Sequence, residues 1–229
     1  IDFLTNEVSP ELETFLQKYH SRIFAIPNLK HPVGQYREVC RILEAESYDI
    51  VYLNISTAID CIAAWAAKKK KVPRIFIHSH TSGNDCENPV KRMIFDSIHK
   101  FCRLSLYRAA TEYYGCSEKA GLWMFPEKIV KSDRFQMIFN AVDLKKFTYS
   151  SAVRDDVRKE LNLENKFVVG HVGNFVYQKN HYFLIDIFEE LKRKCPEAVL
   201  LLLGRGERFE TVEKRIKEKG LEDSVRLLG

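Results

Sequence analysis

Long apolar runs are missing from this 229-residue sequence: none approaches the roughly 18 residues that a membrane-spanning helix needs. The first residues, IDFLTNE (1–7), lack the basic stretch followed by an apolar one that marks a signal peptide. No C-x-x-C pair occurs, and Cys40, Cys61, Cys86, Cys102, Cys116 and Cys195 stand apart. The chain is too long and too rich in core residues to need a disulfide framework. Reduced, mostly buried thiols in a cytoplasmic protein are expected. An excess of charge of one sign is also small: the net value is +5, with most of it before residue 151. That bias is too mild to argue for a nucleic-acid partner. There is no repeat of solenoid period and no low-complexity tract. Neither a G-x-S-x-G elbow nor a G-x-x-x-x-G-K-[ST] loop is present, so hydrolase and P-loop readings have no local support.

What is present is an alternation. Hydrophobic residues make up 45% of the chain and charged ones 29%, the balance of a soluble globular protein. Short apolar runs at 1–4, 22–26, 49–54, 74–78, 113–117 and 135–139 read as strands. Helical patterns lie between them. Residues 9–19 place Leu12, Phe15, Leu16 and Tyr19 on one face, with Ser9 as cap and Pro10 in the first turn. Residues 39–45 align Val39, Ile42 and Leu43, and 58–70 is alanine-rich. Residues 90–108 carry Ile94, Ile98, Phe101 and Ser105 along one stripe, and 118–124 forms a further short helix. The nearly continuous apolar run 49–54 suggests a sheet covered on both faces. Strands alternating with helices in this way predict βαβ units in a parallel sheet.

The polar segment 143–165, with a short helix at 153–161, breaks the rhythm and reads as a linker between two α/β halves. The second half restarts with a strand at Phe167 and a helix at 181–194, with Leu184, Ile187, Phe188 and Leu191 facing inward. A strand at 198–203, a helix at 207–219 ended by Gly220, and a strand at 225–229 follow. The sequence does not begin with Met, and its second half is only about 65 residues long where a doubly wound domain usually needs ~100. A fragment of a longer protein is therefore expected.

Four places could carry chemistry or binding. The stretch HVGNFVYQKN (171–180) joins a strand to a helix through Gly173, with Lys179 near the helix start. Free N–H groups at a helix start and a nearby ammonium favour phosphate. The plain alternative is an ordinary βα turn with Lys179 a solvated surface charge. His78 and His80 lie two apart at a strand end, where they would share a face and where open α/β sheets bind ligands. They could hydrogen-bond a polar ligand or only pack a loop. A metal would need a third ligand, which no nearby His or Cys spacing supplies. Gly204 and Gly206 invite a dinucleotide reading, but Phe209 stands where the third glycine would fall. A general phosphate-proximal turn remains. The run Lys68, Lys69, Lys70 and Lys71 reads either as a site for anionic headgroups or acidic substrates, or as a solvated helix end.

Six ordered motifs carry a family resemblance over nearly the whole chain: DIVYL (49–53), FIHSHTS (76–82), YGCSE (114–118), IFNAVDLKKF (138–147), VGNFVYQK (172–179) and LLGRG (202–206). The fourth is close to I-x-N-G-V-D-x-x-x-F and is the most specific. The fifth is similar to V-G-R-L-x-x-x-K. In these the chain resembles the retaining GT-B glycosyltransferases of group 1, or family 4. The resemblance implies an α/β fold of two Rossmann-like doubly wound domains, both truncated. Residues 1–145 would form the acceptor-side domain, 146–165 the linker and 166–229 the first part of the donor-binding domain. A glycine-rich loop would precede Ile1, and an E-x7-E segment would follow Gly229.

The implied reaction moves a sugar from a UDP- or GDP-sugar to a hydroxyl of a saccharide or lipid-linked acceptor, with retention, in cell-surface polysaccharide or glycolipid synthesis. Lys179 would neutralise the diphosphate with N–H groups near Gly173. His80 would lie across the interdomain cleft and contact donor sugar or phosphate. Asn140 would sit near the hinge, with Gly204 and Gly206 letting backbone approach the nucleotide, and domain closure would assemble the site. No metal and no cofactor are implied. The expected location is cytoplasmic, with peripheral contact to the inner membrane face through Lys68–Lys71. Two departures stand out: Asn174 replaces an arginine and Ala141 a glycine. Asn174 motivates an alternative, a non-catalytic sugar-nucleotide-binding paralogue. A GT-B sugar-nucleotide epimerase is another.

Overall fold

A computed structural model describes every residue, Ile1–Gly229, and four of its helices start at a side chain that accepts from one of the first N–H groups. In the first third, β1 (Asp2–Thr5), α1 (Pro10–Gln17), β2 (Arg22–Ala25), α2 (Pro32–Ala45) and β3 (Ile50–Ile55) follow one another. Ser9 caps α1 by accepting from the Leu12 N–H at 3.2 Å, and Pro10 takes the first turn. The sequence pattern placed the start of α2 at Val39, yet the helix begins at Pro32, another proline in the first turn.

Next come α3 (Ile62–Lys69), β4 (Arg74–Ser79), α4 (Pro89–Ala109), β5 (Glu112–Gly115), α5 (Glu118–Met124), α6 (Glu127–Val130) and β6 (Phe135–Met137). The expected helix over 58–70 is divided. A 3-10 turn at Ala58–Asp60, capped by Thr57, precedes α3. Asn88 caps α4, and Ser117 caps α5 by accepting from the Ala120 N–H. The chain finishes with α7 (Ser151–Glu160), β7 (Phe167–Val172), α8 (His181–Lys194), β8 (Ala198–Leu203), α9 (Phe209–Glu218) and β9 (Val225–Leu227).

Every strand pair is parallel. The sheets run β1-β2, β3-β4-β5-β6 and β7-β8-β9. The chain divides into two compact units, one of Ile1–Asn84 and Asn88–Ala141, the other of Asp85–Glu87 and Val142–Gly229.

In the first unit the core lies between the four-stranded sheet and α3, α4 and α5. Leu53, Ile75, Ile77 and Tyr113 meet Ala64, Ala67, Leu106, Ala109 and Met124 there. Each large aliphatic side chain so buried contributes about 1.5–3 kcal/mol. Small residues on α3 let that helix approach closely. Coverage of both sheet faces, expected for 49–54, is not found: burial alternates along β3, and Ile50 and Tyr52 are exposed. The stripe read on α4 also turns outward, with Ile94, Ile98 and Phe101 exposed. Its buried face carries His99, Leu106 and Ala109 instead.

The second unit packs Phe175, Ile185, Phe188, Leu200, Leu202, Val212 and Ile216 into its own core. On α8 Phe188 is buried as expected and Ile185 joins it, whereas Ile187, expected inside, is exposed. The 151–166 segment is anchored here. Leu163 is buried, and Arg158 donates to the carbonyls of Leu163 and Lys166 at 2.7 and 3.0 Å. The six cysteines are free and half-buried, not mostly buried. Partial burial pushes the Cys61 thiol up to about 11, which keeps it unreactive.

Candidate functional site

Register places the site of the second unit. Val172 and Leu203 are paired at the ends of β7 and β8, so the two following loops leave side by side. Backbone bonds stitch them together: Gly173 N–H donates to Leu203 O, Phe175 N–H to Arg205 O and Arg208 N–H to Phe175 O, each at 2.9 Å. Two glycines make this possible. Gly204 and Gly206 have φ of +146° and +154°. A Cβ on Gly204 would stand 2.2 Å from Gly173 O, and one on Gly206 2.6 Å from Phe175 O. Their requirement here is close approach of two loops. Only glycine fits either position.

Lys179 ends a 3-10 turn, Tyr177–Lys179, just ahead of α8. Its Cδ and Cε lie 3.5 and 3.6 Å from where a Gly173 Cβ would be, so the structure brings these two residues together. Asn180 then adopts a left-handed conformation, φ 46° and ψ 49°, and caps α8 without a side-chain hydrogen bond. The first N–H groups of α8 therefore stay available to an anion. Asn174 is exposed between Gly173 and the buried Phe175. Arg208 is already engaged, paired with Glu87 and lying over the rings of Tyr177 and Tyr182.

Two histidines that sequence reasoning passed over lie beneath this turn. His181, the first residue of α8, is 3% exposed. It stacks on Phe175 (centroids 4.3 Å apart, 11°) and meets His171 edge to face at 5.0 Å. Burial lowers its pKa, with His171 and then Lys179 adding to the effect. The spacing of ten residues across a turn gave no signal; only the fold brings them together.

The first unit holds the other histidine pair. His78 is buried on β4, and its Nδ1 accepts from Tyr52 Oη at 2.6 Å. Its Nε2 is buried without a hydrogen-bond partner, and the backbone of Ile138 lies near the ring. Burial and then the neighbouring His80 lower the His78 pKa. His80 is half-buried just past the strand, its Nε2 donating to Asn54 Oδ1 at 2.8 Å. The two rings are 4.0 Å apart. Tyr52 and Asn54, each 26 residues from its histidine, were not foreseen. His99 is a third buried histidine and is fully used. Its Nδ1 accepts from the Ala58 N–H, its Nε2 bonds to Trp123 O, and its ring stacks on Trp123 at 3.8 Å.

Asn140 is exposed in irregular chain after β6. The lysine run is partly spent: Lys68 donates to Arg108 O at 2.5 Å, and Lys70 pairs with Glu44. Lys69 and Lys71 are exposed. No group of three or more His, Cys, Asp or Glu side chains is placed to hold a metal ion. No helix is long and apolar enough to cross a membrane.

Comparison with known proteins bears on this geometry. Residues 153–229, which contain both stitched loops and Lys179, match the family described as glycosyl transferases group 1. The whole chain is 25% identical to EpsF of Bacillus subtilis (strain 168), a provisionally named glycosyltransferase, and spans 60% of it. It is 26% identical, over 85% of its length and 49% of the relative, to N-acetylgalactosamine-N,N'-diacetylbacillosaminyl-diphospho-undecaprenol 4-alpha-N-acetylgalactosaminyltransferase of Campylobacter jejuni. The chain thus spans about half to three fifths of these curated relatives. Among solved structures it is similar to Anabaena Alr3699/HepE in complex with UDP-glucose: TM-score 0.74, 18% identity, all of this chain and 68% of that one. That likeness carries the fold. The parallel-sheet α/β architecture of GT-B proteins, expected from the sequence, is the one found.

Proposed function

We propose that the protein is a glycosyltransferase that moves a sugar from a nucleotide-diphosphate donor, a UDP- or GDP-sugar, to an acceptor hydroxyl with retained configuration. The observation that carries this reading is the coincidence of the group 1 match with the anion-ready turn of Gly173 and Lys179. The UDP-glucose complex of Alr3699/HepE supports a nucleotide-sugar donor. The lipid-linked substrate in the name of the Campylobacter relative supports a saccharide or lipid-linked acceptor, in cell-surface polysaccharide or glycolipid synthesis. The domain roles proposed are acceptor side for 1–145, linker for 146–165 and donor side for 166–229.

The difficulty of the reaction is charge separation, as an oxocarbenium-like sugar parts from a diphosphate. Lys179 neutralises the leaving phosphate, and the uncapped N–H groups of α8 add their dipoles. Gly173, Asn174, Gly204 and Gly206 form the donor-side loops. His80, the more accessible of its pair, contacts the sugar or phosphate, and Asn140 serves the chain segment between the domains. Binding at a cytoplasmic membrane surface would fall to Lys69 and Lys71, since Lys68 and Lys70 are engaged. Equal sedimentation with neutral and anionic vesicles would dismiss that contact.

The test is a donor panel with the protein as the cell makes it. We expect turnover of at least one UDP- or GDP-sugar. Nucleotide binding without turnover of any donor would leave the non-catalytic sugar-nucleotide-binding reading, which Asn174 motivates, in its place.

A further inference from the structure

The histidine pair of the second unit has no part in the chemistry above, and its surroundings are unusual. Neither ring nitrogen of His181 has a hydrogen-bond partner, and the buried Nε2 of His171 has none either. Buried polar atoms are nearly always paired, so three orphans on two touching imidazoles call for a cause. Their location suggests one. His171 Nε2 lies 3.2 Å from where a Gly173 Cβ would stand, against the same turn that Lys179 flanks. His181 is the first residue of α8, directly behind its free N–H groups.

The groups that face His181 are His171 from β7, Lys179 from the 3-10 turn and the ring of Phe175 from the loop. None is acidic. Asp186, on the next turn of α8, is committed to Arg215 at 2.9 Å and Lys219 at 3.0 Å of the α9 side. The protein by itself therefore offers nothing to favour an imidazolium here, and Lys179 opposes one. A polyanion seated at Lys179 and the α8 start would reverse that balance.

We propose that His171 and His181 form a proton-accepting floor beneath the anion site, taking up one proton from solvent as a nucleoside diphosphate binds. The inference rests on the donor reading above and deepens it. One imidazole becomes an imidazolium whose N–H groups then have an acceptor within the site; no covalent bond forms or breaks. The consequence is specificity. A second cation joins Lys179 only when a diphosphate is present, so an uncharged nucleoside or sugar cannot recruit it.

Calorimetric titration with UDP and GDP at neutral pH, in two buffers of different protonation heat, counts the protons taken up. Uridine serves as the uncharged probe. The wild-type protein should take up a larger fraction of a proton per diphosphate than His181→Gln, and none with uridine. Proton exchange by the ligand's own phosphate is common to both proteins and cancels in the difference. Affinity should also rise more steeply from pH 8 to pH 6 in the wild type, within the limit of about tenfold per pH unit for one linked proton. His171→Asn provides the same comparison should His181→Gln fail to fold. Equal proton counts and equal pH slopes in wild type and folded variants would overturn the inference while the donor reading stood. Binding of neither UDP nor GDP by the wild type would remove the donor reading and this inference with it.

Discussion

Each unit brings two histidines to the C-terminal end of a parallel strand, but the pairs are partnered to different degrees. In the first unit Tyr52 bonds to His78 Nδ1 and Asn54 to His80 Nε2, and one buried nitrogen, His78 Nε2, is left without a partner. That pair is held in place by its own sheet. In the second unit His171 and His181 touch each other and an aromatic ring, with three nitrogens left over. Identical side chains thus differ because one pair lies among hydrogen-bonding neighbours and the other under a glycine turn built around backbone. The better-partnered pair is poised to present an edge of His80; the pair with three orphaned nitrogens is poised to respond to a ligand's charge. Lysines show the same contrast. Four consecutive cations at 68–71 are partly consumed by Arg108 O and Glu44, whereas the isolated Lys179 lies beside Gly173 with its charge unspent.

The largest expected way to break the comparison is Gly204→Ala. Its Cβ would collide with Gly173 O at a backbone angle that side chains rarely adopt. We expect about 3 kcal/mol of lost stability, confined to the second unit. Both tryptophans, Trp65 and Trp123, belong to the first unit. Urea unfolding followed by tryptophan fluorescence should therefore stay close to wild type, while circular dichroism shows an earlier transition. Coincident shifts in both signals would contradict the account.

A smaller effect sharpens the comparison through pH. Burial is the first cause of the lowered pKa of His78, His99 and His181. Each binds its proton more readily unfolded than folded. Between the lowered folded value and about 6.5, the unfolded chain therefore carries more protons, and stability falls as pH falls. The urea midpoint should be lower at pH 5.5 than at pH 7.5, and His181→Phe should remove part of that difference. A midpoint independent of pH across this range would show that these imidazoles are not held neutral.

Much of this arrangement was legible in the sequence. The helix His181–Lys194 and the strand Ala198–Leu203 were read with their observed bounds, because one repeats apolar residues at helical spacing and the other is continuously apolar. The start of α2 was not, since Gly34, Gln35 and Tyr36 interrupt the apolar pattern while Pro32 sets the first turn. Periodicity also misjudged which stripe of α4 is buried. Phe101 and Ile98 share helical spacing with each other, but His99 finds partners in Ala58, Trp123 and Thr57 and goes inside. For the site, Gly173, Lys179, Gly204 and Gly206 were visible as local motifs. The partners Tyr52, Asn54, His171 and Phe175 were not, because each becomes relevant only through strand register or loop stitching.

The central claim is that Lys179 faces the charge that develops on the departing diphosphate. The direct measurement is kcat/KM for sugar transfer by Lys179→Ala with the donor that the panel identifies. Lys179 is exposed and lies outside the core, so the variant should fold as the wild type does. We predict a loss of at least ~2.7 kcal/mol of transition-state stabilisation, on the order of a hundredfold in rate, by analogy with removal of a preorganised oxyanion donor. An unchanged kcat/KM in the folded variant would contradict the role assigned to Lys179 and the site built around it.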